Sequence, residues 1–441
     1  MSRHERVRWG WHGVLAVAML VASCGGSDSA GTGGSGGSGS AGSAGAGGLD
    51  SGADVASDAS ETHTLSVVHG YGSGTYAPGQ VVHVWAAVLP WTELVEGWSG
   101  DADLLDFPAE WHATLTMPSR DVTLEAQIKP MDVTLDESTF QGSTQVPKTV
   151  LSHWPASPKG LVLLLHGTGG SAKMIEKGEA RYVALSAVDR GYAVLSTEAE
   201  EVVAGDQDAD EKIRWNPALA KDNVDFANLD WLVGWLRQEG KLGASAPLYV
   251  IGMSNGGAMA LSLGAVGGSN VASDFPNLRF EGAVSVCANG RLASAQVTTT
   301  PTAWLMCAND DNDQVSNDDA RANSDVLRDR GIPTLVDEHA ASPLYDQRFM
   351  RVPGVDETTS SELAKDLRDG GFVGPDGLFL ISTTEMQAQV QSNPDAFPAL
   401  ASTDGKTLSE VVDQIRVMQA EHQLYSDWAA RALDFLEGKS E

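Results

Sequence analysis

Leu248-Tyr249-Val250-Ile251-Gly252-Met253-Ser254-Asn255-Gly256-Gly257-Ala258-Met259-Ala260-Leu261 is the stretch on which the reading of this chain turns. Its first four residues form a continuous apolar run, suited to a strand buried on both faces. Its last four open a segment of good helix formers. Between them stands Gly252-x-Ser254-x-Gly256. In a chain with 48 glycines the bare pattern is weak, and Gly33-Gly34-Ser35-Gly36-Gly37 matches it too. Context separates the two, because only Ser254 has a strand run before it and a helix run after it. Flanking glycines let such a turn be sharp, so that the serine hydroxyl projects above the sheet. It would sit at a helix N-terminus, where the dipole and free N–H groups favour developing negative charge. Ser254 is therefore the expected nucleophile.

Working outward, further apolar runs lie at 161–165, 192–196, 247–251, 283–287, 303–307 and 333–336. Helix-like segments separate them. In the one over 222–240, Phe226, Leu229, Val233 and Leu236 fall on one stripe at helical spacing. Alternation of this kind predicts an α/β protein with a mostly parallel sheet covered by helices on both faces. With a serine at a strand–turn–helix elbow, the expected architecture is the α/β-hydrolase fold.

That chemistry needs two N–H donors for an oxyanion, a base and an acid. The backbone of Asn255 is one donor. His166-Gly167-Thr168-Gly169-Gly170, directly after the run 161–165, supplies the other from Thr168 or Gly169. His166 itself reads as structural. The base should follow the last strand. His153 precedes the nucleophile, His339 ends the last apolar run, and His422 stands before a terminal amphipathic segment over 426–436. His422 is preferred, although 408–421 also reads as helix and places it at a helix junction. The acid should follow the run 303–307, where Asp310 is preferred and Asp311 and Asp313 are alternatives. This loop lacks the Gly and terminal Glu of an EF-hand, so no metal is expected there or at Asp206, Asp208 and Asp210. The scheme calls for no cofactor.

The formal charge is -30, from 29 basic and 59 acidic residues. Such a field repels polyanions and excludes a nucleic-acid footprint. At the N-terminus, Arg3, Arg6 and Arg8 precede an apolar run from Val14 to Ala22 that is too short to span a bilayer. It ends in Val21-Ala22-Ser23-Cys24, which resembles a bacterial lipobox. Residues 1–23 are thus expected to be a lipoprotein signal peptide and Cys24 the lipidated residue, the lipid giving the only membrane contact. Localisation at the bacterial cell envelope follows. The Gly/Ser-rich stretch 24–61 cannot bury enough surface to order itself and reads as a tether. Export makes a disulfide permissible between Cys287 and Cys307, which end consecutive strand runs.

Residues 62–128 form a β-type module of short runs punctuated by Gly and Pro. Gly72-Ser73-Gly74-Thr75-Tyr76, Pro78-Gly79, Gly97-Trp98-Ser99-Gly100-Asp101 and Thr116-Met117-Pro118-Ser119-Arg120-Asp121-Val122 resemble the divergent internalin-type B-repeat of bacterial surface proteins. That resemblance implies a spacer or adhesion unit. Trp85, Trp91, Trp98 and Trp111 read as its core, with a ligand-binding face as the alternative.

The α/β-hydrolase domain is placed at 129–441, and over much of residues 145–437 it resembles the esterase family of poly(3-hydroxybutyrate) depolymerases and feruloyl esterases. The likeness is clearest over Asp225-Phe226-Ala227-Asn228-Leu229-Asp230 and Tyr249 to Ala260. It implies hydrolysis of carboxylic esters, in small molecules or polymers, by a serine esterase. The departure from that pattern is an insertion at 340–421 between the last strand and His422, which reads as a lid, a substrate wall or a stability insert. A serine peptidase of the same fold, or a non-catalytic surface-binding lipoprotein, are the alternatives.

Overall fold

The computed structural model describes residues 61–439. The expectations for the signal peptide, Cys24 and most of the tether lie outside the described residues. The strands are β1 (His63–Val68), β2 (Gly70–Tyr71), β3 (Gly74–Tyr76), β4 (Val81–Ala86), β5 (Glu93–Gly100), β6 (His112–Thr116), β7 (Val122–Pro130), β8 (Asp136–Phe140), β9 (Lys148–His153), β10 (Leu161–Leu165), β11 (Ala193–Thr197), β12 (Leu248–Met253), β13 (Gly282–Val286), β14 (Thr302–Cys307) and β15 (Thr334–His339). The helices are α1 (Gly178–Asp189), α2 (Glu200–Ala204), α3 (Val224–Gln238), α4 (Asn255–Val266), α5 (Leu292–Val297), α6 (Asn317–Asp329), α7 (Glu357–Asp369), α8 (Thr383–Ser392), α9 (Pro398–Ser402), α10 (Gly405–Met418) and α11 (Ala429–Leu436). Among the described residues no helix is long and apolar enough to cross a membrane.

The central sheet runs in the order β15-β14-β13-β12-β10-β11-β9-β8. From β11 to β15 every neighbouring pair is parallel, while β9 is antiparallel to both β11 and β8. Counted within this sheet, the order is 1-2-4-3-5-6-7-8, with Ser254 directly after the fifth strand.

Why the middle strands are uniformly apolar is visible in β10. Val162 and Leu164 join one core, while Leu161, Leu163 and Leu165 join the core on the opposite face. Successive strand side chains point to opposite faces, so a strand covered on both needs apolar residues at every position. One face is packed by α1 and α11, the other by α3 and α4. The insertion builds a core of its own from Phe349, Leu363, Leu367, Val411 and Ile415.

The N-terminal strands form a four-stranded sheet in the order β3-β1-β7-β5 and a three-stranded sheet in the order β2-β4-β6. Trp85, Trp98 and Trp111 are buried there, which fits the core reading of these rings, whereas Trp91 is only half-buried and donates from its indole N–H to Glu176 O at 3.4 Å. Residues from Glu61 onward form one compact unit, in which the module's Leu65, Val84 and Leu124 belong to the same apolar cluster as Ile251, Tyr425 and Leu433. The module thus shares its apolar core with the larger sheet.

Candidate active site

Gly252, Ser254 and Gly256 make the elbow. Ser254 has φ 56° and ψ −124°, outside the regions that L-residues favour, and its N–H donates to Val286 O at 2.8 Å. A Cβ on Gly252 would stand 2.0 Å from Gly256 O, and one on Gly256 would stand 2.4 Å from the carbonyl oxygens of both Leu165 and His166. Both positions therefore require glycine. The strain at Ser254 is held by β12 before it and α4 after it, as strained residues at functional sites are.

The hydroxyl so presented meets His422. Ser254 Oγ lies 2.7 Å from His422 Nε2, and His422 Nδ1 lies 2.8 and 3.0 Å from the two oxygens of Asp310. The Asp310 side chain is 4% exposed, and Asn312 N–H donates to its Oδ1 at 3.0 Å. Of the three loop aspartates, Asp310 is the one the structure sets against His422. Asp311 and Asp313 make no contact with it. His153, on β9, donates from Nδ1 to Thr134 O at 2.9 Å instead. His339 lies at 3.3 Å from Asp427, away from Ser254.

Around Ser254 Oγ, the N–H of Asn255 opens α4 and so has no intrahelical partner. Thr168 N–H likewise has no partner among the described residues. Gly169 is corrected: its N–H donates to Ile213 O at 2.8 Å and is not free for an oxyanion. The φ of +71° at Gly169 turns that N–H away, toward the segment that carries Trp215. His166 is buried and does not reach Ser254. Its Nε2 accepts from Ala199 N–H at 3.2 Å.

Trp215 is a residue the sequence reading missed. Its indole N–H donates to His166 O at 3.0 Å, its backbone N–H to Asn255 Oδ1 at 2.7 Å, and its carbonyl accepts from Asn255 Nδ2 at 3.1 Å. One tryptophan thus holds both loops that offer the free N–H groups. Nothing in the spacing of Ile213-Arg214-Trp215-Asn216-Pro217 signals that role.

A cavity of about 380 Å³ opens beside the elbow. Gly167 to Ser171, Met174, Met253, Gln423 and Leu424 line it next to the reacting groups. Its far wall is α10, through Glu410, Asp413, Gln414 and Val417, together with Arg351. All five belong to the insertion, which is therefore a wall of this cavity. At its floor Glu179 accepts from Arg351, which also contacts Ser426. Burial pushes the Glu179 carboxyl up, but Arg351 and Arg348 beside it outweigh that and hold it at about 2.

Cys287 and Cys307 face one another with their sulfurs 2.7 Å apart, both as free thiols and both buried. Each also contacts Gln423 O, next to His422. Glu201, Asp206 and Asp208 gather near the surface, and the Asp206 carboxylate accepts from the backbone N–H groups of Ala209 and Glu211 at 2.8 Å each.

No protein-family model matches the chain. Over 152 residues it is 35% identical to a protein described as "Putative esterase NocK" from Nocardia uniformis subsp. tsuyamanensis. That match spans 34% of this chain and 38% of the relative. Among solved structures it is similar to esterase Est22, at 14% identity and a TM-score of 0.34 over 54% of this chain and 80% of the other. It is also similar to Thermogutta terrifontis esterase 2 phosphorylated by paraoxon, at 14% identity and a TM-score of 0.36 over 55% and 96%. Strand order, crossover pattern and the serine elbow after the fifth strand give the chain the α/β-hydrolase fold, and about a third of its length is similar in sequence to a protein described as a putative esterase.

Proposed function

We propose that the protein is a serine hydrolase acting on carboxylic esters. The observation that carries this is the unbroken chain from Ser254 Oγ through His422 to Asp310, with contacts of 2.7 and 2.8 Å. His422 Nε2 takes the hydroxyl proton as Ser254 Oγ attacks the ester carbonyl. The N–H groups of Asn255 and Thr168 receive the negative charge that builds on the carbonyl oxygen. His422 then gives the proton to the departing alkoxide, and an acyl-serine remains. Water, deprotonated by the same imidazole, releases the acid and restores Ser254. Asp310 keeps Nδ1 protonated and stabilises the imidazolium.

The cavity volume falls within the range of small-molecule sites. With α10 closing one side, short esters and methyl ferulate are the substrates to try first, ahead of polymers. We also propose export and lipid attachment at Cys24, supported by the charged, apolar and small-residue sequence before it. Hydrolysis of p-nitrophenyl butyrate and methyl ferulate by the parent and by Ser254→Ala tests the central reading. Turnover that disappears in a folded Ser254→Ala supports it, and turnover that persists refutes it.

A further inference from the structure

The base, His422, lies between α10 and α11 on a segment with little regular structure of its own. Gln423, next to His422, donates to Asp413 of α10 at 2.6 Å, and further along the N-terminal module joins the anchors. Three consecutive module residues reach the downstream half of the segment and the first turn of α11. The carboxylate of Glu110 accepts from the backbone N–H groups of Arg431 at 2.9 Å and Ala430 at 3.3 Å. Trp111 Nε1 donates to Ser426 Oγ at 3.1 Å. His112 Nδ1 lies 2.8 Å from Asp427 Oδ2.

These are interior contacts. Glu110 and Trp111 are each 1% exposed and Ser426 is 0% exposed. The first of them also replaces something that α11 lacks. Its N-cap, Trp428, has no side-chain hydrogen bond to the opening turn. The first N–H groups of a helix need partners, and a buried end without them is costly. Glu110 supplies the missing acceptor from more than three hundred residues away.

Ser426 and Asp427 then pass the restraint on. Ser426 Oγ also contacts Glu179 and Arg351 at the cavity floor. Asp427 is shared with His339 of β15. Tyr425 donates to Met306 O at 3.1 Å, beside the strand end that carries the Asp310 loop. Upstream of His422 the anchors come from elsewhere: Thr383 N–H donates to Glu421, and Asn309 binds the carbonyls of Ala420 and Gln419. His422 is thus set between one group of anchors from the acid loop and the insertion and another from the module.

We infer that Trp111 and His112 are positioning residues for His422, so that the module is a working part of the active site. This rests on the serine-hydrolase reading above. A general base misplaced by about 1 Å can lose up to a hundredfold in rate, which makes the anchors matter to turnover more than to substrate binding.

The test compares full-length parent, His112→Ala, His112→Asn, Trp111→Phe and the module-surface control Thr123→Ala. It measures kcat and KM with p-nitrophenyl butyrate and hydrogen exchange over 422–431. In His112→Ala, kcat should fall about ten- to a hundredfold with KM within about twofold, and exchange over 422–431 should rise. His112→Asn, which keeps a donor for Asp427, should recover most of the loss. Trp111→Phe keeps the ring, deletes one hydrogen bond and should show the same pattern more weakly. It carries the test if His112→Ala does not fold. Values of kcat within about twofold of the parent in the folded variants would overturn the inference, as would an equal loss in Thr123→Ala. Ser254→Ala run alongside separates the two readings. If that variant keeps full turnover, the serine reading fails, whereas the exchange data alone still show whether the module holds the segment.

Discussion

Arg351 grips both oxygens of Glu179, with Nε 2.9 Å from Oε1 and Nη2 3.0 Å from Oε2. The pair joins the first turn of α1 to the insertion, directly beneath the cavity. Arg348 lies near the same carboxylate, and both guanidinium groups keep nitrogens without a partner in the interior. Glu179→Gln would leave two buried cations uncompensated. Stability should fall by about 3–5 kcal/mol, read as a lower denaturation midpoint. Because the Glu179 pKa is depressed to about 2, its contribution is complete above the ordinary glutamate value and is lost as pH falls toward 2.

Asp310 is the acid against which His422 leans. Asp310→Asn should lower kcat by about 10³–10⁴ while the thermal midpoint stays close to the parent's. Asp311→Asn and Asp313→Asn should each stay within about threefold of the parent. A large loss in either, with Asp310→Asn active, would move the acid along the loop.

Gly252→Ala should fail for reasons of space. The new methyl group would meet Gly256 O at 2.0 Å, an atom fixed by the elbow and the opening of α4. A loss of more than about 3 kcal/mol, or no soluble folded protein, is expected in a denaturant titration. Near-parent stability would mean that the elbow opens more freely than its packing shows.

His339 gives the fold an alkaline limit. Burial opposes its protonation, but the Asp427 carboxylate beside it and their hydrogen bond outweigh that and raise it to about 9. A raised histidine stabilises fully below its unfolded value near 6.5 and ceases to as pH passes 9. Stability should therefore decline between pH 7 and 9, by at most about 1.4 kcal/mol per pH unit from this group. His339→Asn should flatten that part of the curve.

The facing thiols of Cys287 and Cys307 sit at the C-terminal ends of adjacent parallel strands. In exported protein they should be joined, so that labelling under denaturing, non-reducing conditions finds neither reactive. Two labelled thiols would end the idea.

How much of this was legible in the sequence follows from how each part is held. The strands β10 to β14 announce themselves because both faces are covered, which forces unbroken apolar runs. Ser254 is legible because its glycines and flanking runs are local. In β8, Asp136 to Thr139 are all exposed, so that edge strand carries no such run and escaped notice. In β5, a bulge at Glu96 shifts the register against β7, which blurs the alternation. Trp215 and the N–H of Gly169 are placed by contacts between loops, Trp215 to His166 and Asn255 and Gly169 to Ile213, that no spacing records. The docking of Glu110, Trp111 and His112 was illegible for a deeper reason. Taken alone their stretch reads as a small β unit, and its partners lie at the other end of the chain.

That separation bears on how the protein comes to be folded. Trp111 and Ser426 are 315 residues apart, as are His112 and Asp427. The cost of closing so long a loop rises only slowly with length, yet it must be met before the contact returns anything. A chain emerging from the ribosome N-terminus first presents Glu110, Trp111 and His112 long before residues 426–431. Until that later stretch arrives, Glu110 has no helix to cap and His112 no carboxylate to bind. A chain that stops short of it leaves all three of the module's contacts unmade.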